Sequence, residues 1–475
     1  MFAALDQQRK LSTNQLRLIG AATAGNVLDF FDLYLISFVL AFIARSWALT
    51  FGQAAIVLLA SGLGAMVGAV FWGWLADRIG RRPVFTATIA NFALATGALA
   101  LVPEGSWVWL ALLRLLVGFG AGGLYCVDLP LVQEFVPARL RGRIAGLVTA
   151  AVPLGLLFAS VAAATLTPLI GWRGLFIVGM VPAFALLAVR AWIPESPRWL
   201  IMQGRHFDAR RSVAWALAVP TESLPLPEAP DMNDQRRAGF GALLRHPRSL
   251  AVSWLINLGT QTGNYGMTLW APTLLVLLLQ VTPASASWYM AVVSAGGLGG
   301  RFLFAWLSDR LGRRACGIII GTAAAAGLLA TGLFHGVFLG SVSVFWLLLV
   351  FSNIFVDGGF AVVGPYSAEV WPSHLRTTGM GSAYGFGGIG KIVGPLGLAL
   401  IVGSSNVVTP QATLDAVVPA FAYLSAWFVL VVAAFAWFGF ETRDRSIEEL
   451  DAALERAARP SRGPVDIAPT TTTYH

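Results

Sequence analysis

Phe71-Trp-Gly73-Trp-Leu-Ala-Asp77-Arg78-Ile-Gly80-Arg81-Arg82 recurs later in the chain as Leu303-Phe-Ala-Trp-Leu-Ser-Asp309-Arg310-Leu-Gly312-Arg313-Arg314. Each copy closes a long apolar run with an acid, a glycine and a cluster of arginines. A second pair sits at matching places: Glu134-x-x-Pro137-x-x-x-Arg141 and Glu369-x-x-Pro372-x-x-x-Arg376. Two independent pairs imply an internal duplication, so the fold is to be read as two copies of one unit.

Working outward, apolar runs lie near 19–43, 54–76, 84–102, 106–127, 144–166 and 173–193, then near 250–278, 286–307, 315–334, 343–367, 380–402 and 417–440. A bilayer-crossing helix needs about 20 apolar residues. The 475 residues are 57% apolar and 12% charged, far from the roughly 45–50% and 25% of soluble domains. These observations predict an all-α polytopic membrane protein with twelve transmembrane helices in two pseudo-symmetric six-helix halves. The expected divisions are a tail over 1–18, halves over 19–193 and 250–440, a linker over 194–249 and a second tail over 441–475. Within the linker, short amphipathic helices are expected around Phe207–Leu217 and Arg236–Arg245.

The net charge of +8 comes almost wholly from arginine, since Lys10 and Lys391 are the only lysines. Arg78, Arg81 and Arg82, then Arg139, Arg141 and Arg143, then Arg310, Arg313 and Arg314 fall in alternate loops; the opposite loops hold little beyond Arg45 and Arg173. By the positive-inside rule both termini are expected in the cytoplasm, in a cell inner membrane. That distribution is not the basic patch of a nucleic-acid binder. Cys126 and Cys316 make neither a CxxC nor a zinc spacing, so no metal site is expected. The N-terminal stretch lacks a signal-peptide pattern. Without a phosphate loop, an HExxH or a nucleophile elbow, neither an enzyme nor a cofactor is expected, and energy has to come from a gradient.

The motif Gly73-x-x-x-Asp77-Arg78-x-Gly80-Arg81-Arg82 resembles the loop signature of the major facilitator superfamily. Pro194-Glu195-Ser196-Pro197-Arg198-Trp199-Leu200 looks like the sugar-porter and organic-ion-porter branch. Asp29-Phe-Phe-Asp32 is similar to the paired aspartates of aromatic-acid:proton and related metabolite:proton symporters. The resemblance implies a secondary transporter working by alternating access on a small solute and protons, functional as a monomer in the bilayer.

Several residues are candidates for the chemistry. Asp29 and Asp32 lie at i and i+3 on one face with Asn26, and buried acids so close should titrate as a unit. They are the expected proton-coupling pair. Arg114 matches the span-4 arginine that couples solute and proton sites in the family. Lys391, alone in span 11, stands where related symporters tend to carry arginine, with Asp357 as its alternative structural partner. Asn257, Gln261 and Asn264, with Tyr265, form a polar stripe suited to a small polar solute or to interhelical bonding. The expected solute contacts are thus Arg114, Lys391, Gln261, Asn264, Tyr265 and Asp357. Expected gate residues are Gly73, Asp77, Arg78, Gly80, Arg81, Glu134 and Arg141 in one half, and Asp309, Arg310, Arg313, Glu369 and Arg376 in the other. Glu134 with Arg141, and Glu369 with Arg376, read as gate pairs. Arg301 reads as support for the Asp309 latch, and Asp128 as part of a gate. The two buried cations favour an organic carboxylate, aromatic or otherwise; a sugar, polyol or organic cation is the alternative, and a non-transporting sensor a third.

Overall fold

The computed structural model describes residues 1–226 and 240–443, except 138, 142, 143, 145, 146, 149, 150, 191, 373 and 374, together with Leu454. The proline run beyond Leu226, Arg143, the side chain of Asp128 and the tail beyond Arg443 other than Leu454 lie outside the described residues.

A short helix α1 (Phe2–Gln7) precedes the first span, α2 (Thr13–Ile43), in the stretch read as a tail. Ser12 caps α2: its side chain accepts the Gln15 N–H while Gln15 reaches back to the Ser12 N–H, and Thr50 with Gln53 does the same for α3 (Phe51–Ile79). The half continues with α4 (Arg81–Leu99), α5 (Trp107–Glu134) and α6 (Val152–Arg190). Non-helical backbone at Gly171 (φ 67°, ψ 174°) divides α6 into two passes. In the linker, α7 (Pro197–Met202) follows Ser196, and α8 (His206–Leu217) fits the expected amphipathic helix. The second expected helix is a 3₁₀ turn over Phe240–Arg245.

The second half comprises α9 (Pro247–Leu279), α10 (Pro283–Leu311), α11 (Arg313–Leu333), α12 (Val344–Gly358) with α13 (Phe360–Glu369), α14 (Arg376–Gly387) with α15 (Gly390–Val402), and α16 (Pro410–Trp437). The tenth and eleventh spans are therefore interrupted, each at a glycine pair, Gly358-Gly359 and Gly387-Gly388, where the helical ladder is weakest. A two-stranded hairpin, β1 (Phe338–Leu339) with β2 (Val342–Ser343), is a small exception to the all-α reading.

Packing in lipid gains little from the hydrophobic effect, so helices approach through small residues. A Cβ at Gly64 would strike the Leu115 backbone, and one at Gly118 the Ser61 backbone, which is how α3 and α5 meet. The halves touch through α2 with α9, α3 with α15, and α6 with α10. At the arginine-poor end they are also hydrogen-bonded. Phe51 N–H donates to the Asn406 carbonyl at 2.9 Å, Gly52 N–H to Ser404 at 2.9 Å, and Val408 N–H to Leu49 at 2.8 Å. The Phe51 and Trp270 rings, 5.4 Å apart, close the same end.

Candidate functional site

Six ionisable side chains gather where the two halves face each other, and they divide into unlike groups. Asp32 and Arg114 are sealed: their side chains are 2% and 0% exposed, with Nη1 2.5 Å from Oδ2. Thr96 Oγ1 donates to Asp32 Oδ1 at 3.2 Å, and Arg114 also donates to the Asp32 carbonyl at 3.2 Å. A charge held this far from water persists only when paired and hydrogen-bonded. Of the two aspartates of the expected proton-coupling pair, Asp32 is the one that is ion-paired. Asp29, one turn earlier on α2, is only half-buried and lies within electrostatic reach of Lys391 as well as of Asp32 and Arg114.

Lys391 enters from α15, where its Cβ packs near Gly62 of α3. Its ammonium stands 5.2 Å from the centre of the Tyr265 ring, a cation–π arrangement. Tyr265 stacks on Tyr34 of the other half, with centroids 6.4 Å apart and planes 20° from parallel. Asp357, the alternative partner for Lys391, is taken by Arg301: Nε donates to Oδ2 at 3.0 Å and Nη2 to Oδ1 at 2.8 Å. This fork-on-fork geometry is the strong form of the pair. It removes Arg301 from the Asp309 latch and Asp357 from Lys391.

The polar stripe of α9 also divides. Asn257 Nδ2 is committed to the Ser253 carbonyl at 2.8 Å and to Ser367 Oγ at 2.7 Å. Gln261 is 1% exposed, yet neither its Oε1 nor its Nε2 has a protein partner, and Asn264 Oδ1 and Asn26 Oδ1 are likewise unsatisfied. Buried amides left open are costly, so such groups mark a place where a further hydrogen-bonding species completes the set.

At the arginine-rich end each half builds the same small network. Gly80 (φ 101°) and Gly312 (φ 92°) hold left-handed turns that only glycine adopts without strain. Directly after each turn a glutamate caps the next helix. Glu195 accepts the Arg81 N–H at 2.9 Å and the Arg82 N–H at 3.0 Å; Glu441 accepts the Arg313 N–H at 2.8 Å and the Arg314 N–H at 3.2 Å. A carboxylate there also meets the positive helix end. Glu134 pairs with Arg81 and accepts from Ser196 Oγ. Glu369 lies 3.5 Å from Arg313 and accepts from Thr442 Oγ1 at 2.6 Å.

The partners of Glu134 and Glu369 are thus Arg81 and Arg313. Arg141 instead donates to the Gln133 carbonyl at 2.9 Å, and Arg376 opens α14. Arg78 and Arg310 lie over Trp74 and Trp306, each at 4.1 Å. Asp77 is exposed, and Asp309, 73% exposed, reaches Arg313 at 3.2 Å. Gly73 has open space around it. Sequence reading missed Glu195, Ser196, Glu441 and Thr442 as parts of this network. Their signal was a further repeat, Glu195-Ser196 after the sixth span and Glu441-Thr442 after the twelfth.

Comparison with known proteins places this geometry in context. The family model described as the Major Facilitator Superfamily matches residues 22–395 and 254–465. The niacin transporter NiaP of Acinetobacter baylyi is 31% identical over 391 residues, covering 80% of this chain and 85% of that protein. A probable 4-methylmuconolactone transporter of Cupriavidus pinatubonensis is 30% identical, covering 93% and 94%. Among solved structures, the inward open conformation of the xylose transporter XylE from E. coli aligns with a TM-score of 0.70 at 19% identity, over 92% of this chain and 99% of that one.

Proposed function

The chain belongs to the major facilitator superfamily, as a membrane-spanning member, and from that premise we propose that it takes up a small organic carboxylate, aromatic or otherwise, together with a proton. The observation that carries this reading is the charge set at the centre. Asp29, Asp32 and Asp357 face Arg114, Arg301 and Lys391, a neutral cluster in which two pairs are committed and Asp29 with Lys391 is the open one. An arriving carboxylate adds one negative charge to a low-dielectric site. Protonating Asp29 cancels it and frees the Lys391 ammonium for the solute. Proton and acid then each favour the binding of the other, which is coupling in the thermodynamic sense.

The open Gln261 amide, Asn264 Oδ1 and the Tyr265 ring supply the remaining hydrogen bonds and a stacking face for an aromatic acid. Niacin, named for one relative, is a pyridine carboxylic acid and fits these requirements. In this reading the arginine-rich face is cytoplasmic, the termini lie inside, and the hydrogen-bonded end is the outer one, closed in this structure.

The test is uptake of labelled nicotinate and benzoate into proteoliposomes containing the purified protein. An inward-directed proton gradient should drive accumulation, an imposed membrane potential alone should not, and a protonophore should abolish the effect. Accumulation of neither acid, with uptake of xylose instead, would support the sugar-porter alternative that the unsatisfied Gln261 amide also suits.

A further inference from the structure

The two buried ion pairs of the central site are built differently. Arg301 grips Asp357 through Nε and Nη2, one nitrogen on each carboxylate oxygen, so that pair fixes its own geometry. Arg114 reaches the carboxylate of Asp32 through Nη1 alone, on Oδ2, and its Nε is buried without a hydrogen-bond partner among the described residues. The other oxygen of Asp32 is held by Thr96 of α4, whose Oγ1 donates to Oδ1 at 3.2 Å. Thr96 thus stands in for the missing arm of the fork.

This use of a threonine is specific. A helical threonine commonly returns its hydroxyl proton to the carbonyl one turn back, as Thr23, Thr262, Thr268 and Thr331 do in this chain. Thr96 sends its one proton across to another helix instead. Thr96, Asp32 and Arg114 are all buried, so bulk water does not replace the hydroxyl. The choice matters because Arg114 has two aspartates in reach. Asp29 stands one turn before Asp32 on α2, and the charged groups acting on it are Lys391 of α15, Asp32 on its own helix and Arg114. The other helices packed on α2 bring no free charge to this level. In α3, Asp77 and Arg78 lie at the last turn; in α6, Arg173 lies at the kink and Arg190 at the end; in α9, Arg248 lies at the start. Arg301 of α10 is bound to Asp357, and Asp309 and Arg310 end that helix.

We propose that Thr96 is a positioning residue of the central site: by holding Oδ1 of Asp32 it confines Arg114 to Asp32 and leaves Asp29 as the aspartate open to a proton. With Oδ1 anchored, the Asp32 carboxylate does not turn away from Arg114, and the guanidinium stays on it. Without the hydroxyl the carboxylate rotates freely, and Arg114, whose Nε is already open, is drawn towards Asp29. A cation in contact with a carboxylate favours its charged form and resists protonation. The consequence for uptake rests on the proton-coupled reading of this site; the sorting of the two aspartates does not.

The experiment is an infrared titration of the full chain in nanodiscs. The protonated-carboxyl stretch present in wild type and missing in Asp29→Asn reports Asp29 directly, whether or not the protein transports. Thr96→Val removes the hydroxyl at nearly constant shape and should move the midpoint of that band about one pH unit or more towards acid. Half-maximal proton-driven uptake of labelled benzoate in proteoliposomes should move the same way. Thr96→Ser keeps the hydroxyl and should titrate close to wild type. Should Thr96→Val not fold, Thr96→Cys, with its weak thiol donor, should show a smaller shift in the same direction. A midpoint unmoved in the valine or cysteine variant, whatever its melting temperature, or moved as far by serine as by valine, would overturn the role of Thr96. The band shift without proton-driven uptake by wild type would uphold Thr96 and overturn the coupled reading. No Asp29 band at any pH would overturn both.

Discussion

The two halves are alike at their arginine-rich ends and unlike inside. Gly80 and Gly312, Arg81 and Arg313, Glu134 and Glu369, Glu195 and Glu441 occupy equivalent places in equivalent networks. The buried pairs do not match. One half joins α2 to α5 through Asp32 and Arg114 in a dry site; the other joins α10 to α12 through Arg301 and Asp357, which are 12% and 11% exposed. The repeat puts Ala69 and Gly122 where Arg301 and Asp357 stand, so close packing of α3 on α5 in one half corresponds to an ion pair in the other. The networks at the two ends thus share one design, while the interiors differ: two aspartates and Arg114 on one side, Lys391, the Arg301–Asp357 pair and the open Gln261 amide on the other.

This contrast is sharpened first at Asp29. Asp29→Asn is expected to abolish accumulation of the acid against a gradient in proteoliposomes while exchange of labelled for unlabelled acid continues, because the neutral amide carries no proton. Accumulation by this variant with an unaltered dependence on pH would remove the acid half from the coupling step.

Next comes the inequality of the two buried pairs. Arg114→Gln leaves Asp32 alone in a water-free site, a loss of about 3–5 kcal/mol, and the protein should lose its monodisperse elution peak at a much lower temperature. Asp32→Asn in the same chain should restore much of it. Arg301→Gln leaves Asp357 beside a partly open site, so its drop should be distinctly smaller. Equal drops would mean that the difference in exposure has no energetic content.

The third concerns Lys391. Lys391→Gln should raise the apparent KM for the acid about tenfold or more, a change of roughly 1.4 kcal/mol or above, with protein level unchanged. Since Asp357 is satisfied by Arg301, adding Asp357→Asn should give no rescue. Restored affinity in the double variant would tie Lys391 to Asp357 and take it from the solute.

The smallest effect tests the likeness of the ends. Glu195→Gln and Glu441→Gln each remove a carboxylate from a helix start, worth about 0.3–1 kcal/mol, and should lower the melting temperature by similar small amounts. A more than twofold difference between them would show that the two networks, though alike in geometry, are not alike in energy.

What the sequence alone determined is whatever is local or linear along the chain. Runs of apolar residues long enough for a bilayer, the arginine asymmetry of the loops and the duplicated Asp77 and Asp309 motifs announced the spans, the repeat and the family resemblance, because each is legible within a few turns of helix. Partner choice was not legible. Asp29 and Asp32 share a helix face by spacing, but Arg114 of α5 bonds only to Asp32, and Asp357, the alternative partner of Lys391, is taken by Arg301 of α10. The cap role of Glu441 depends in the same way on a segment distant in sequence. A charge in a membrane interior takes its partner from whichever neighbouring helix presents one. That neighbour is fixed by the rotation and packing of helices against each other, a property of the assembled bundle that no single stretch of chain contains.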